Sequence, residues 1–244
     1  MDINFINICI ALATIFVGYI FGSFPSSIVL SKLLKKEDPR KHGSKNAGGT
    51  NASRLWGFKF GIFVFVLDFL KLLIPLYGTW ALFTFVKFNG ITICPTAEEF
   101  LNNIFNTHYC YWPVYYLTII SVVVGHCYPV FTRFIGGKGA ACTFSTAFFS
   151  SWFVGVSALL AFAGTLKIKK YVSLSSIVGS IVAAIAAWLT IIPGLSSIAM
   201  YGHTLAPHWL YGLVMTLATI LLIYRHRSNI IRIKNHEERK VTWF

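Results

Sequence analysis

Six long apolar stretches, separated by segments rich in lysine and arginine, constrain the fold of this chain more than any other feature. They cover residues 3–30, 60–86, 114–132, 139–166, 174–193 and 209–224. Each is long enough to be considered as a helix in a hydrocarbon core about 30 Å thick. Of the 244 residues, 56% are hydrophobic and only 12% are charged, against about 25% charged in soluble domains. The excess of apolar side chains has to face lipid. The composition therefore excludes a soluble enzyme, a disordered chain and a disulfide scaffold, and it predicts an integral membrane protein.

Most of the positive charge lies in four segments of the chain. Residues 32–59, 133–138, 167–170 and 225–240 hold 19 of the 21 lysines and arginines. In a soluble protein the net charge of +13 would indicate a nucleic-acid partner. In a membrane protein an excess of Lys and Arg is typical of cytoplasmic loops. We therefore expect no nucleic-acid partner, and we place all four segments in the cytoplasm.

The stretch 139–166 cannot be a simple crossing, because the basic segments on either side of it would then lie on opposite faces of the membrane. As a helix it would be about 42 Å long, which is too short for two spans but enough for two half-depth helices. Ser150 and Ser151 mark the turn between them. The sequence thus predicts an all-α membrane protein with seven membrane helices, five full spans plus a half-depth hairpin, with the N-terminus outside and the C-terminus in the cytoplasm. Residues 1–244 form one domain with cytoplasmic segments 32–59, 133–139, 167–173 and 225–244.

The first cytoplasmic segment carries the groups that an anion site needs. It reads Gly43-Ser44-Lys45-Asn46-Ala47-Gly48-Gly49-Thr50-Asn51-Ala52-Ser53-Arg54. Its glycines let the backbone approach a ligand closely. Hydroxyl and amide side chains supply neutral hydrogen bonds, and Arg54 supplies a fork that matches a phosphate group. A solvated basic loop lying against anionic headgroups is an equally good interpretation of this composition.

A second segment, Gly136-Gly137-Lys138-Gly139, leads directly into an apolar stretch. Free backbone N–H groups at the start of a helix, together with the positive end of the helix dipole, favour an anion there. The pattern is not a Walker A motif, which has a different spacing. His126, shortly before it, is more typical of a histidine used in helix packing.

Three further polar features are less specific. The serines of residues 173–176 can cap the helix that follows or reach a ligand. His226 and Asn229 would share one face if the last helix continues. Asp68 and Lys71 lie within a span, where they can pair with each other or face a polar interior. We interpret them as a structural ion pair.

Several catalytic classes are missing from the sequence. It contains no GxSxG motif and no histidine followed five positions later by aspartate, the general base of acyl-CoA-dependent glycerolipid acyltransferases. It has no CxxC, no cluster of His and Cys ligands and no paired carboxylates spaced for a metal, so we expect neither metal nor cofactor. Cys94 and Cys110 share one loop and can pair if that loop is extracellular. What remains is a site of cations and hydrogen-bond donors suited to phosphorylated substrates.

The ordered motifs resemble one known family. They are Gly22-Ser23-Phe24-Pro25, the segment from Arg40 to Asn51, Leu67-Asp68-Phe69-Leu70-Lys71, Gly125-His126-Cys127-Tyr128-Pro129-Val130, Gly136-Gly137-Lys138-Gly139, Tyr171-Val172-Ser173-Leu174 and His226-Arg227-Ser228-Asn229-Ile230. Together, over residues 18–238, they resemble the bacterial acyl-phosphate:glycerol-3-phosphate acyltransferases, the PlsY-type membrane enzymes. The resemblance implies seven membrane helices and a bacterial plasma-membrane location with the active site facing the cytoplasm. It also implies acyl transfer from acyl phosphate to the 1-hydroxyl of glycerol 3-phosphate, giving lysophosphatidic acid and phosphate.

The resemblance also implies roles for individual residues. Lys138, with the backbone of Gly136, Gly137 and Gly139, would bind the phosphate of the acyl donor. The residues assigned to catalysis are Ser44, Arg54, Lys138, His226 and Asn229. Those assigned to substrate binding are Asn46, Thr50, Asn51, Gly136, Gly137, Gly139, Ser173 and Glu238. The proton acceptor is either His226 or the donor's own phosphate, and the acyl chain would lie against the hairpin and its neighbouring spans. We expect the chain to function as a monomer.

The chain departs from the family pattern at a few positions. Lys45 and His236 stand where the family usually has glycine, and Lys170 stands where arginine is frequent. Residues 87–113 look like an insertion with no assigned function. The alternatives are a transporter of anionic phosphate esters and a structural protein that binds lipid. A transporter should show binding groups near mid-membrane and paired repeats, and the sequence shows neither.

Overall fold

A computed structural model describes residues 3–85, 87–88, 91–92, 115–192, 195 and 209–241. Cys94 and Cys110, and most of the insertion at 87–113, lie outside these residues. Their pairing and the role of the insertion stay at the level of sequence-based prediction.

In this part of the chain the architecture is almost wholly helical. The helices are α1 (Ile3–Ser23), α2 (Ser26–Lys35), α3 (Gly49–Trp56), α4 (Phe58–Leu70), α5 (Leu73–Phe85), α6 (Tyr115–Cys127), α7 (Ala140–Ser150), α8 (Trp152–Lys169), α9 (Val172–Leu189), α10 (Trp209–Arg225) and α11 (Arg227–Lys234). Single 3₁₀ turns lie at Pro39–Lys41 and Val130–Thr132. Two short antiparallel strands, β1 (Lys87–Phe88) and β2 (Ile91–Thr92), pair Lys87 with Thr92.

Several of these helices have the length and apolarity of membrane spans. Among the described residues, Cys9–Lys35, Phe58–Leu82, Trp152–Lys169 and Val172–Leu189 can each cross a membrane. The pair α10 and α11, bent by 54°, can supply a fifth span, and Tyr116–Thr132 and Ala140–Ser150 are shorter apolar helices. Large apolar side chains such as Phe16, Ile74 and Leu160 are exposed on the outside. The prediction of an all-α membrane protein is confirmed, whereas the count of seven and the orientation stay predictions.

The predicted hairpin breaks at the expected serines. Ser151 has an extended backbone between α7 and α8, and its hydroxyl accepts a hydrogen bond from the backbone N–H of Val154 at 3.4 Å. Helix α7 has 11 residues, about 16 Å, as expected for half depth. Helix α8 has 18 residues, about 27 Å, and is longer than the half-depth helix that the sequence suggested. The length of the apolar stretch could not show how unequally the turn divides it.

The helices pack most closely where glycine replaces a side chain. A Cβ atom on Gly125 of α6 would collide with the backbone oxygen of Tyr19 in α1, and one on Gly22 would collide with the oxygen of Val122. Helices α1 and α6 therefore touch backbone to backbone, as small residues allow in membrane proteins. On the other side of α6 the buried rings of Tyr116 and Tyr211 stack at a centroid distance of 5.2 Å.

A buried charged cluster joins α4, α6 and the end of α1. Lys71 Nζ lies 3.1 Å from Asp68 Oδ1, 2.8 Å from His126 Nδ1 and 3.3 Å from the backbone oxygen of Phe24. All three side chains are buried. The expected pairing of Asp68 with Lys71 is present, and His126 completes it, so the costly charges meet partners inside the bundle.

Candidate active site

The four basic segments meet at one end of the bundle around a cavity of about 260 Å³. Ten of the thirteen residues that the sequence assigned to the site line it. They are Ser44, Asn46, Thr50, Asn51, Arg54, Lys138, Ser173, His226, Asn229 and Glu238. Lys138 and Ser173, which lie just outside the two ends of the α7–α8 segment, both line this cavity, so those two ends lie close together at one end of the bundle.

One wall is the loop before α3, and Asn51 holds its shape. The side-chain nitrogen of Asn51 lies 2.8–3.2 Å from the backbone oxygens of Pro39, His42 and Asn46. Its side-chain oxygen accepts a hydrogen bond from the backbone N–H of Ser44 at 2.9 Å. Every polar group of the Asn51 side chain is thus used within the loop. Asn51 organises this wall, while the exposed Ser44, Thr50 and Arg54 remain available to a ligand.

The opposite wall is a chain of hydrogen bonds from Lys138 to Glu238. Lys138 Nζ donates to the side-chain oxygen of Asn229, and Asn229 Nδ2 donates to Glu238 Oε1 at 2.8 Å. The same carboxylate accepts a hydrogen bond from Ser173 Oγ at 3.0 Å and forms an ion pair with Arg232 at 2.7 Å. Although burial alone would raise it, the hydrogen bonds from Arg232 and Asn229 lower the pKa of Glu238, so the carboxylate stays charged.

The serines of residues 173–176 were expected either to cap the helix or to reach a ligand, and their hydrogen bonds test the first of these roles. Tyr171 is the N-cap residue of α9, and no side-chain hydrogen bond caps the helix there. Ser175 and Ser176 donate back to the carbonyls of Tyr171 and Val172 at 2.9 Å. Ser173 instead reaches across the cavity wall to Glu238. The capping interpretation is therefore wrong for these hydroxyls.

Lys138 is half-buried among other cations. Burial, followed by repulsion from the Arg232 guanidinium, lowers the pKa of Lys138 to about 8. The ammonium is therefore mostly protonated at neutral pH but close to losing its charge above it. An anion bound beside Lys138 would stabilise the protonated ammonium.

His226 lies at the bend between α10 and α11. Its Nδ1 is 2.9 Å from the backbone oxygen of Leu222. A carbonyl oxygen can only accept, so Nδ1 carries the proton and Nε2 keeps a lone pair. Burial lowers the pKa of His226 to about 4, and the ring is neutral at pH 7. It can accept a hydrogen bond from a hydroxyl group, but it is a weak base.

The three predicted glycines lie behind the cavity rather than on its wall. The backbone N–H of Gly137 donates to the oxygen of His126 at 3.0 Å, and a Cβ atom on Gly137 would collide with the His126 ring. Gly139, at the N-terminus of α7, has a φ of 84°, which favours glycine. The carbonyls of Gly136 and Gly137 both accept hydrogen bonds from Arg225 at 3.2 Å, a contact that the sequence analysis missed.

Apolar side chains complete the cavity and continue it into the bundle. Phe58, Ile62 and Phe65 come from α4, and Phe162 comes from α8. Asp68 and His126 of the buried cluster also reach the lining. The apolar residues could not be assigned to the site from the sequence because an apolar lining has no motif of its own, and Asp68 and His126 were interpreted as an ion-pair residue and a helix-packing residue. The result is a pocket with cations and hydrogen-bond donors at its mouth and an apolar inner wall, which suits an amphiphile with a phosphorylated head.

The tail that follows α11 closes this end of the bundle. The backbone N–H of Val241 donates to the oxygen of Lys170 at 2.9 Å. The Lys240 ammonium lies 5.6 Å from the centre of the Tyr171 ring. Glu238 and Val241 thereby become part of the cavity wall.

Comparison with known proteins gives one consistent answer. The family model described as "Glycerol-3-phosphate acyltransferase" matches residues 12–236. Curated proteins named glycerol-3-phosphate acyltransferase are similar over nearly the whole chain. The one from Ureaplasma urealyticum is 35% identical, covering 93% of this chain and 88% of its own, and the one from Listeria monocytogenes is 33% identical, covering 93% and 94%.

Two solved structures are similar as well. They are described as PlsY, an integral membrane glycerol 3-phosphate acyltransferase, in a glycerol 3-phosphate form and a lysophosphatidic acid form. The first has a TM-score of 0.71 at 32% identity, covering 95% of this chain and 96% of the other. The second has a TM-score of 0.68 at 31% identity, covering 95% of each.

Proposed function

Because the chain belongs to the glycerol-3-phosphate acyltransferase family, we propose that it transfers a fatty acyl group from an acyl phosphate to the 1-hydroxyl of glycerol 3-phosphate. The products are lysophosphatidic acid and inorganic phosphate. Acylation of glycerol 3-phosphate is the activity of the family. The acyl phosphate donor and the role of each residue are the further steps of the proposal.

One observation carries the proposal: a single cavity joins Lys138, Arg54 and several neutral donors to an apolar inner wall. Both substrates carry a phosphate group, and two phosphates repel each other unless cations lie close to both. The donor also carries an acyl chain, which the phenylalanines of α4 and α8 can cover. This combination explains why the site consists of cations and hydrogen-bond donors and needs no nucleophilic side chain.

In the reaction, the 1-hydroxyl oxygen bonds to the carbonyl carbon of the acyl phosphate, and the bond from that carbon to the phosphate oxygen breaks. The mixed anhydride is already activated, so the protein has to position the reactants and stabilise the negative charge that develops. Lys138 is suited to the donor phosphate. Arg54, with Ser44 and Thr50, is suited to the phosphate of glycerol 3-phosphate.

The hydroxyl proton has two possible acceptors, His226 and the donor's phosphate. With a pKa of about 4, the His226 ring is a weak base at neutral pH, whereas a phosphate monoester takes a proton with a pKa near 6. We therefore assign the proton to the departing phosphate. His226 accepts a hydrogen bond from the hydroxyl through Nε2 and orients it for attack.

The setting of the site in the membrane belongs to the same proposal. Four segments are rich in lysine and arginine, which supports a bacterial plasma-membrane protein whose cavity faces the cytoplasm. They are residues 32–59, 133–139, 167–173 and 225–244. We propose seven membrane helices with the N-terminus outside, in one domain that works as a monomer. Glycerol 3-phosphate would then enter from the cytoplasm and the acyl donor from the membrane.

The test uses protein purified in detergent, with radiolabelled glycerol 3-phosphate and either palmitoyl phosphate or palmitoyl-CoA as the donor. We expect labelled lysophosphatidic acid from palmitoyl phosphate alone, with one phosphate released per product. Product from palmitoyl-CoA alone would overturn the donor assignment. No product from either donor, with protein that is folded and monodisperse, would overturn the proposed reaction.

A further inference from the structure

Arg225, the last residue of α10, holds the Gly136–Gly137 segment from behind the cavity. Its Nε donates to the backbone oxygen of Gly137 and its Nη2 donates to that of Gly136, both at 3.2 Å. The guanidinium also lies 4.9 Å from the centre of the Tyr128 ring. Arg225 itself does not line the cavity, so it touches the segment that leads to Lys138.

These contacts fix the orientation of two successive peptide groups. In a planar trans peptide the C=O and N–H point to opposite sides. The peptide between Gly136 and Gly137 is held on both sides, by Arg225 at its oxygen and by the backbone oxygen of His126 at its N–H. The next peptide is held at its oxygen by Arg225, so the N–H of Lys138 points away from the guanidinium.

This arrangement matters because glycine backbones rotate easily. Without Arg225, the Gly136–Gly137 peptide keeps only its hydrogen bond to His126, and the carbonyl oxygen of Gly137 loses the contact that orients it. A carbonyl oxygen that turned toward the side on which Lys138 meets the cavity would present negative charge to an incoming phosphate. The planar fork of arginine can hold two neighbouring oxygens at once, whereas a lysine ammonium is a compact point charge.

We propose that Arg225 is a positioning residue for the acyl donor. It holds the carbonyls of Gly136 and Gly137 away from the donor phosphate, and it keeps Lys138 in position to bind that phosphate. This inference rests on the proposed function, in which Lys138 binds the donor phosphate. It predicts an effect on the donor and not on glycerol 3-phosphate, whose assigned partners lie on the α3 side of the cavity.

The experiment compares R225A and R225K with wild type and with the control R227A, measuring KM for palmitoyl phosphate and KM for glycerol 3-phosphate separately. Arg227 is a matched control because it is exposed and stacks on the exposed Tyr224, at 4.5 Å from the ring centre. We expect KM for palmitoyl phosphate to rise about tenfold or more in R225A, with KM for glycerol 3-phosphate within about twofold of wild type. R225K should fall between R225A and wild type, and R227A should match wild type.

Two results would overturn the inference while leaving the proposed function intact: unchanged KM for palmitoyl phosphate in R225A, or equal rises in both KM values. The second result would indicate a general structural role. If R225A fails to fold in detergent, R225K, which keeps the charge and most of the bulk, provides the same comparison. An inactive wild type in this assay would instead contradict the proposed function itself.

Discussion

In the described part of the chain, six residues other than glycine have a positive φ, a backbone conformation that glycine adopts at least cost, and Lys45 and His236 are two of them. Lys45 has a φ of 54° and His236 has a φ of 60°. At both positions the resemblance to the family implies a glycine. An L-residue in the left-handed region costs roughly 1–2 kcal/mol, so each of these two residues holds the backbone in a strained conformation.

Replacing these residues should therefore stabilise the protein. We expect Lys45→Gly and His236→Gly each to raise the free energy of unfolding by about 1 kcal/mol, since the relief of strain exceeds the entropy that glycine adds to the unfolded chain. Thermal unfolding in detergent measures the change. Glu237→Gly is the control, because Glu237 has a negative φ and glycine there should give no gain. A lower Tm for both variants would contradict this account.

The charge of Lys138 predicts how the reaction depends on pH. Burial lowers the pKa of Lys138 to about 8, and only the protonated form can offset the charge of the donor phosphate. Hence kcat/KM for palmitoyl phosphate should fall as the pH rises through about 8, because this ratio reports the free enzyme. Lys138→Arg keeps its charge over this range, so the fall should disappear even if the rate is lower. If kcat/KM of Lys138→Arg fell at the same alkaline pH, the fall would be due to the titration of another group.

His226 offers a test of its own role. If His226 orients the hydroxyl by accepting a hydrogen bond at Nε2, His226→Gln can accept one through its amide oxygen and should retain clearly more turnover than His226→Ala. If His226 were the general base, both variants would lose activity to the same extent, since an amide cannot take a proton. Turnover of the two variants in one assay separates these possibilities.

At the scale of elements, glycine sets how closely two membrane helices approach. Gly125 places α6 against the backbone of α1 at Tyr19, and the motif Gly125-His126 continues directly into the buried cluster with Asp68 and Lys71. Spacing between α1 and α6 thus controls where His126, and with it Gly137, can lie.

Gly125→Ala should accordingly destabilise the bundle. The added methyl group must push α6 from α1, at a cost of about 1–3 kcal/mol. Gly164→Ala is the control, because nothing lies within 4 Å of a Cβ atom there and alanine is the better helix former. We expect Tm to fall for Gly125→Ala and to hold or rise for Gly164→Ala. Equal Tm values for the two variants would argue against close packing at Gly125.

The elements also show how far sequence reasoning reaches. The break at Ser150 and Ser151 and the apolar helices could be predicted, because charge and hydropathy respond to the membrane locally. The unequal lengths of α7 and α8 could not be predicted, since the length of an apolar stretch does not show how deeply each of its two helices enters the membrane. Long-range pairs such as Lys138 with Asn229, or Arg225 with Gly136, depend on helix packing and have no local signal. From the sequence, Arg225 could not be distinguished from the other basic residues of the C-terminal segment.

At the scale of the whole molecule, four segments that are far apart in sequence form one site. Lys138 precedes α7, Ser173 lies in the first turn of α9 and Asn229 lies in α11, yet the Glu238 carboxylate and its partners join them into one wall. The loop around Asn51 forms the other wall. The positive-inside pattern already placed these segments on one face, and the packing of the bundle brings them to one cavity.

The central claim is that this cavity binds the two phosphorylated substrates through Arg54 and Lys138. The most direct measurement is the formation of labelled lysophosphatidic acid from palmitoyl phosphate by Arg54→Ala, Lys138→Ala and the control Lys167→Ala, an exposed lysine outside the cavity. We predict that the first two lose about 100-fold or more in turnover while remaining folded in detergent, and that the control matches wild type. Substantial turnover in both Arg54→Ala and Lys138→Ala would contradict the account.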